Sequence, residues 1–155
     1  MTATREAAVA AVKAVRQELD RIVASAGGEA WSNEAYEGWT ARELLSHIAA
    51  TSNVAGFLLA MSANPGATFS GEMDNDTFNA RQVAMRESKP IGEVVEEARG
   101  HLAEDVERVA AASDELLERQ YAAPWGDEGP ISDLIVGAAN DHLMIHLRDL
   151  AAALE

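Results

Sequence analysis

The chain has 155 residues, enough for one domain that buries about two thirds of the surface its unfolded form exposes. Acidic residues outnumber basic ones 26 to 12, and the formal net charge of −14 repels nucleic-acid phosphates and anionic membrane surfaces. There is no cysteine, which excludes a disulfide framework, a thiolate ligand and a cysteine nucleophile, and leaves any thiol chemistry to a thiol brought by another molecule.

The opening stretch Met1 to Glu6 lacks the basic-then-apolar order of a signal peptide, and no apolar run is read as approaching membrane-spanning length, so the expected location is cytoplasmic. From Ala7 to Ala26, Ala8, Val12, Val15, Leu19, Ile22 and Val23 recur at helical spacing, and Gly27-Gly28 ends the pattern. The segment Glu29 to Trp39 is irregular and is expected to be a connection that packs its rings on the bundle. Thr40 and Glu43 form a Thr-x-x-Glu capping box that opens a second helix, with Trp39 as the preceding apolar residue. On its wheel His47 shares a face with Leu44, Thr51, Val54, Ala55 and Leu58, while Arg42, Ala49, Asn53, Gly56 and Ala60 are expected to face away.

Asn64-Pro65-Gly66 stops that helix, and Ala67 to Asn75 reads as a loop. Asp76 to Arg86 reads as a shorter helix with a weak apolar face. Ser88-Lys89-Pro90 then opens a third long helix with Ile91, Val94, Val95, Ala98, Leu102, Val106 and Val109 on one stripe, Asp105 inside it and His101 at its margin. Ser113 to Arg119 is a turn or short helix and Tyr121 to Pro130 a loop. A final helix runs from Ile131 to Glu155, with Ile135, Ala138, Ala139, His142, Ile145, His146 and Asp149 on its inner face. Gly137 and Met144 fall on the outer face, where a flat patch suits a second subunit. No strand pattern, repeat or low-complexity tract stands out. The expected fold is all-α, a single domain over 1–155, built as a four-helix bundle with a long connection between the second and third long helices.

Three of the four histidines therefore point inward, and His142 and His146 are four residues apart on one helix face. Each reads either as a core imidazole bonded to a carbonyl or hydroxyl, or as a metal ligand. Burying three imidazoles without partners costs on the order of a few kcal/mol, which a shared ion removes. Neutral imidazoles suit zinc, nickel, copper or iron, and three of them leave an open position, as in catalytic zinc sites. No glutamate follows His142, so the metalloprotease signature is absent. Asp149, one turn beyond His146, reads either as an orienting partner of an imidazole or as a surface acid.

The order Trp39-Thr40, Leu44-Leu45-Ser46-His47-Ile48, Asp76-Thr77-Phe78-Asn79 and His142-x-x-x-His146 resembles the DinB/YfiT-like superfamily of metal-binding four-helix bundles, in particular the metal-binding domain of mycothiol-dependent maleylpyruvate isomerases. The resemblance implies that His47, His142 and His146 bind one divalent transition metal ion, with zinc expected and nickel the alternative. It also implies an enzyme using a low-molecular-weight thiol such as mycothiol on a small electrophilic substrate, by transfer or isomerisation. The chain ends just after its last helix, so the further C-terminal domain of those isomerases is expected to be missing, which counts against maleylpyruvate isomerisation itself. Thr51 and Asn79 are candidates for orienting the substrate, and a homodimer is expected. A non-catalytic bundle that sequesters a small molecule and a metal-assisted hydrolase are the alternatives.

Overall fold

The computed structural model describes residues 2–64 and 74–155; the residues expected to end the second helix at Pro65-Gly66, and most of the loop after them, lie outside that range. Helix α1, Arg5–Ala24, begins where the Thr4 hydroxyl accepts from the Ala7 N–H. It buries Ala8, Val12, Val15, Leu19 and Ile22, the stripe its sequence spacing requires.

The stretch expected to be irregular has more order than its composition suggests. A 3₁₀ turn at Gly28–Ser32 buries Trp31, and β1 (Glu34–Tyr36) pairs antiparallel with β2 (Trp39–Thr40). The two residues between them, Glu37 and Gly38, have φ of 44° and 87°, the both-positive pattern of a type I′ hairpin turn. A second small ladder joins β3 (Gln120–Ala122) to β4 (Glu128–Pro130), where a loop was expected. Strands this short carry no readable alternation.

Helix α2, Ala41–Thr51, starts at the expected capping box: the Thr40 hydroxyl accepts from the Glu43 N–H and the Glu43 carboxylate accepts from the Thr40 N–H. The helix does not run on unbroken. It stops at Ser52-Asn53 and resumes as α3, Val54–Ala63, whose first free N–H groups, those of Ala55 and Gly56, donate to the buried Asp105 carboxylate at 3.1 Å each. The segment Ala41–Ala63 is long and apolar enough to cross a membrane by length and composition, with hydropathy 1.5, contrary to expectation. Burial of 61% of its most apolar window inside the fold marks it as the core helix instead. For the same reason Ala49 and Gly56, expected to face away, are buried: α5 packs on that side.

Helix α4, Asn75–Ala84, is capped by Asp74 and buries no residue fully, as its weak apolar face foretold. Arg42 on α2 ties down the chain beyond it by donating to the carbonyls of Arg86, Glu87 and Lys89. Helix α5, Ile91–Ala111, buries Val94, Val95, Ala98, Leu102, Asp105 and Val109. Helix α6, Asp114–Glu118, follows, and its Leu117 is buried in the core.

The last helix is interrupted by a π turn. Helix α7, Ile131–Gly137, leads into a π segment, Ala138–Leu143, and then α8, Met144–Leu154. Among its buried positions, Ile135, Ala139, Leu143 and Leu147 fall four residues apart each time. An α-helix of 3.6 residues per turn drifts off such a line, and the wider π turn absorbs about one extra residue. The buried face of α8 is thus rotated by about 100° from a uniform wheel. Ile145, expected inside, is 43% exposed, and Met144, expected on the outer face, is half-buried against the core. Helices α1, α2–α3, α5 and α7–α8 form the all-α four-helix bundle, with α4 in the long connection between the second and third.

Candidate metal centre

Two helices and the hairpin converge on one point. α2 brings His47 from below its capping box, the π segment supplies His142, and α8 supplies His146. One ring nitrogen from each of these histidines lies within 4.8 Å of the other two. The rings pack edge to face: centroids are 4.9 Å apart for His47 and His146, 5.3 Å for His47 and His142, and 4.7 Å for His142 and His146. His47 and His146 are buried and His142 is half-buried, so the cluster opens to solvent along His142.

The electrostatics keep the rings neutral. Burial, with the neighbouring His146 and His142, pushes His47 down to about 3. Burial and His146 push His142 down to about 4, and burial lowers His146 against the opposing pull of Asp149 and Glu37. A neutral imidazole offers a lone pair. The buried Nδ1 atoms of His47 and His146 have no hydrogen-bond partner, whereas His101, outside the cluster, satisfies its Nδ1 on the Ala49 carbonyl at 3.1 Å. The fourth histidine is therefore a structural one, whereas two of the three that cluster, His47 and His146, keep a buried nitrogen that the fold leaves unpaired. A soft-to-borderline divalent ion fits such a donor set.

The walls are aromatic. Tyr36 meets His146 edge-on at 4.9 Å, and Trp39 lies 5.1 Å from His47. Trp39 also lines a hollow of about 360 Å³ between α2 and α4, bounded by Ala80, Val83 and Ala84. The hydroxyls of Thr40 and Ser46 and the side chains of Arg42 and Glu43 there are already engaged with backbone groups. Tyr36 and Glu37 were not singled out from sequence; the signal available was a Tyr-Glu-Gly-Trp run, a two-residue turn ahead of the capping box.

The other candidates fall at different distances from the cluster. Asp149 is half-buried, its Oδ2 3.9 Å from His146 Nδ1, an electrostatic neighbour beyond hydrogen-bond reach. The Thr51 hydroxyl donates to the His47 carbonyl at 2.9 Å and so braces the turn that carries His47. Asn79 is half-buried on α4, which packs against α2, and not on the elements that carry the histidines.

Comparison with solved structures returns the same fold. The crystal structure of a mycothiol-dependent maleylpyruvate isomerase superposes with a TM-score of 0.78 at 15% identity, and that of a histidine-to-alanine variant with 0.79 at 13%. Each comparison covers 97% of this chain and 63% of the other, so the chain spans less than two thirds of the solved proteins. No curated protein matches. Residues 12–151 match the family described as the mycothiol maleylpyruvate isomerase N-terminal domain. With nearly the whole bundle covered by that match, the chain belongs to the mycothiol maleylpyruvate isomerase N-terminal domain family.

Proposed function

We propose that His47, His142 and His146 hold one divalent transition metal ion, zinc with nickel the alternative, and that the protein uses a low-molecular-weight thiol such as mycothiol on a small electrophile, by transfer or isomerisation. The observation that carries this reading is the convergence of three neutral imidazoles within 4.8 Å of one another, two of them, His47 and His146, with a buried nitrogen that has no partner. The mycothiol dependence of the solved proteins of like fold supports the thiol. Such an ion, when bound, supplies Lewis acidity that lowers the pKa of a thiol or water at its open position.

The chain's own residues do the rest. Burial keeps the three rings deprotonated at neutral pH, so they present lone pairs without first losing a proton. Tyr36 and Trp39 cover His146 and His47 and keep water from their faces. The Asp149 carboxylate, 3.9 Å from His146 Nδ1, favours a proton on that nitrogen and so the tautomer whose other nitrogen is free to bind. Thr51, whose oxygen still accepts a hydrogen bond, and Asn79 are the residues proposed to orient the substrate. The reaction belongs to the cytoplasm, where thiols stay reduced. A homodimer is the proposed assembly, tested at the exposed Ile145 on α8 by sedimentation of wild type and Ile145→Glu.

The deciding experiment is elemental analysis of protein purified without an affinity tag, wild type beside His146→Ala. The expected result is about one transition metal ion per chain, lost in the variant, as for a three-histidine site. Metal-loaded protein is then mixed with mycothiol and an electrophile panel. Product formed without thiol points to hydrolysis, and saturation after one equivalent points to sequestration. No metal in either sample, even after reconstitution, removes the proposal.

A further inference from the structure

Helix α2 carries His47 and is 11 residues long, so its two ends decide where that ring stands. The N-terminal end is closed by the capping box of Thr40 and Glu43. At the other end the helix ladder fails. The Ser52 N–H turns to the Ala49 carbonyl at 3.4 Å, the bond of a tighter turn, so the Ile48 carbonyl loses the N–H that an unbroken helix would bring. Side chains replace it. The Thr51 hydroxyl donates to the His47 carbonyl at 2.9 Å, and the Ser52 hydroxyl to the Ile48 carbonyl at 2.5 Å. Both contacts are local and move with the turn that makes them.

A tie to the rest of the fold comes from α5. His101 Nδ1 lies 3.1 Å from the Ala49 carbonyl, and since a carbonyl only accepts, that nitrogen carries the proton. Ala49 is fully buried and stands two residues from His47, inside the same turn. Four residues further along the same face of α5, the Asp105 carboxylate accepts from the Ala55 and Gly56 N–H groups at the start of α3. One helix thus grips both sides of the break at Ser52-Asn53. The two grips differ in what they hold: Asp105 holds α3, which carries none of the clustered histidines, and His101 holds the turn of His47.

We infer that His101 is a positioning residue for the centre: its grip on the Ala49 carbonyl fixes the last turn of α2, and with it the place of the His47 ring. The inference rests on the metal reading above. His101 lies outside the cluster and is not a fourth ligand. It acts through the backbone. A helix end without such ties frays, and a ligand on a frayed turn must be ordered when an ion arrives, at a cost in affinity.

The test compares wild type with His101→Leu, His101→Asn and Val109→Ala, the full chain throughout. Asparagine carries its amide nitrogen on Cγ, as histidine carries Nδ1, and so keeps the donor that leucine lacks. Val109 is buried about two turns further along α5 and controls for lost packing on that helix. Competition with a chromogenic chelator is expected to show zinc bound about threefold to tenfold more weakly by His101→Leu, and within about twofold of wild type by the other two. Wild-type affinity in His101→Leu overturns the inference. An equal loss in Val109→Ala, or in His101→Asn, overturns it also, since the effect would then not follow the donor. Metal-free protein gives a second reading. Nitrogen-15 spectra above neutral pH should place the His101 proton on Nδ1, and amide exchange at Ser52 should quicken by about tenfold in His101→Leu but not in His101→Asn. A proton on Nε2, or unchanged exchange, overturns the inference whatever the metal does. If wild type binds no zinc while both metal-free readings come out as expected, the metal reading fails and His101 still holds the turn of His47.

Discussion

His47 and His146 meet edge to face with ring planes at 89° and centroids 4.9 Å apart, each with a buried and unpaired Nδ1. An unsatisfied buried polar atom costs about 1–3 kcal/mol, so the metal-free fold carries these rings at a cost. Replacing one by an apolar side chain of similar volume removes that cost. His47→Leu is therefore expected to leave the metal-free protein as stable as wild type or more stable, by about 1 kcal/mol, while abolishing the rise in melting temperature expected of wild type with zinc under the proposed metal site. Thermal unfolding with and without zinc reads both. A metal-free variant destabilised by more than about 3 kcal/mol would mean the ring is held by partners that the apolar side chain cannot replace.

The same burial fixes how stability depends on pH. His47 titrates at about 3 and His142 at about 4 in the fold, and His146 is also lowered, whereas an unfolded imidazole titrates near about 6.5. Between those values the unfolded chain binds more protons. The histidine contribution is therefore complete above the unfolded value and is lost as pH falls, by about 1.4 kcal/mol per pH unit for each ring. Asp105 acts in the opposite sense: burial raises it to about 6, so between its unfolded and folded values it stabilises the fold as pH falls and offsets one ring. Urea unfolding of metal-free protein from pH 7 to pH 4.5 should show a net loss, with a shallower slope in His47→Leu. A flat wild-type profile would mean the rings titrate as they do in water.

The capping box links local sequence to the histidine cluster. Thr40 sits at the start of α2 and at the end of β2, and its neighbour Trp39 lies 5.1 Å from the His47 ring. Thr40→Ala leaves the Glu43 N–H without its acceptor and is expected to cost about 1 kcal/mol of stability. It also frees the hairpin to shift against His47. Zinc affinity should fall with it by about threefold to tenfold, the effect of losing a supporting contact one step from a ligand. Competition with a chromogenic chelator measures the affinity. Unchanged zinc binding in a variant with the expected stability loss would uncouple the cap from the centre.

Features set by neighbours in sequence were legible, and those set by distant parts of the chain were not. The Thr40–Glu43 box is local chemistry, and it placed the start of α2 and the inward face of His47 correctly. The meeting of His47 with His142 and His146 followed from three inward faces, together with a family resemblance. The face of α8 was misjudged because a wheel at constant pitch cannot represent the π turn at Ala138–Leu143, which exchanges Ile145 for Leu147 in the core. The break between α2 and α3 was invisible for a different reason. Nothing near Ser52-Asn53 announces that a carboxylate from α5 will hold the new helix start. Glu37 was missed, and Tyr36 was read only as a ring that packs on the bundle, because short hairpin strands have no periodicity to read.

That carboxylate supplies the last prediction. Asp105 is 1% exposed and accepts from the Ala55 and Gly56 N–H groups, while Arg108 Nη1 stands 3.6 Å away. Asp105→Ala strips two buried donors of their acceptor at once and should destabilise the fold by about 2–4 kcal/mol. The damage is expected to centre on the α2–α3 junction, directly after Thr51. Gly56 is the complementary test, because a Cβ there would lie 2.7 Å from Asp105 Oδ1 and 2.5 Å from Arg108 Nη1. The Arg108 end can move, but the buried carboxylate cannot move without losing a hydrogen bond. Gly56→Ala should therefore destabilise by about 1–3 kcal/mol, as overpacking does, although alanine is the better helix former by about 1 kcal/mol. If the two changes act through the same contact, the double variant should cost clearly less than the sum of the singles. Hydrogen exchange at Ala55 and Gly56 locates the effect: faster exchange there, with α1 and α8 unchanged, is the expected pattern, and strict additivity with uniform exchange would mean that Asp105 stabilises the core elsewhere.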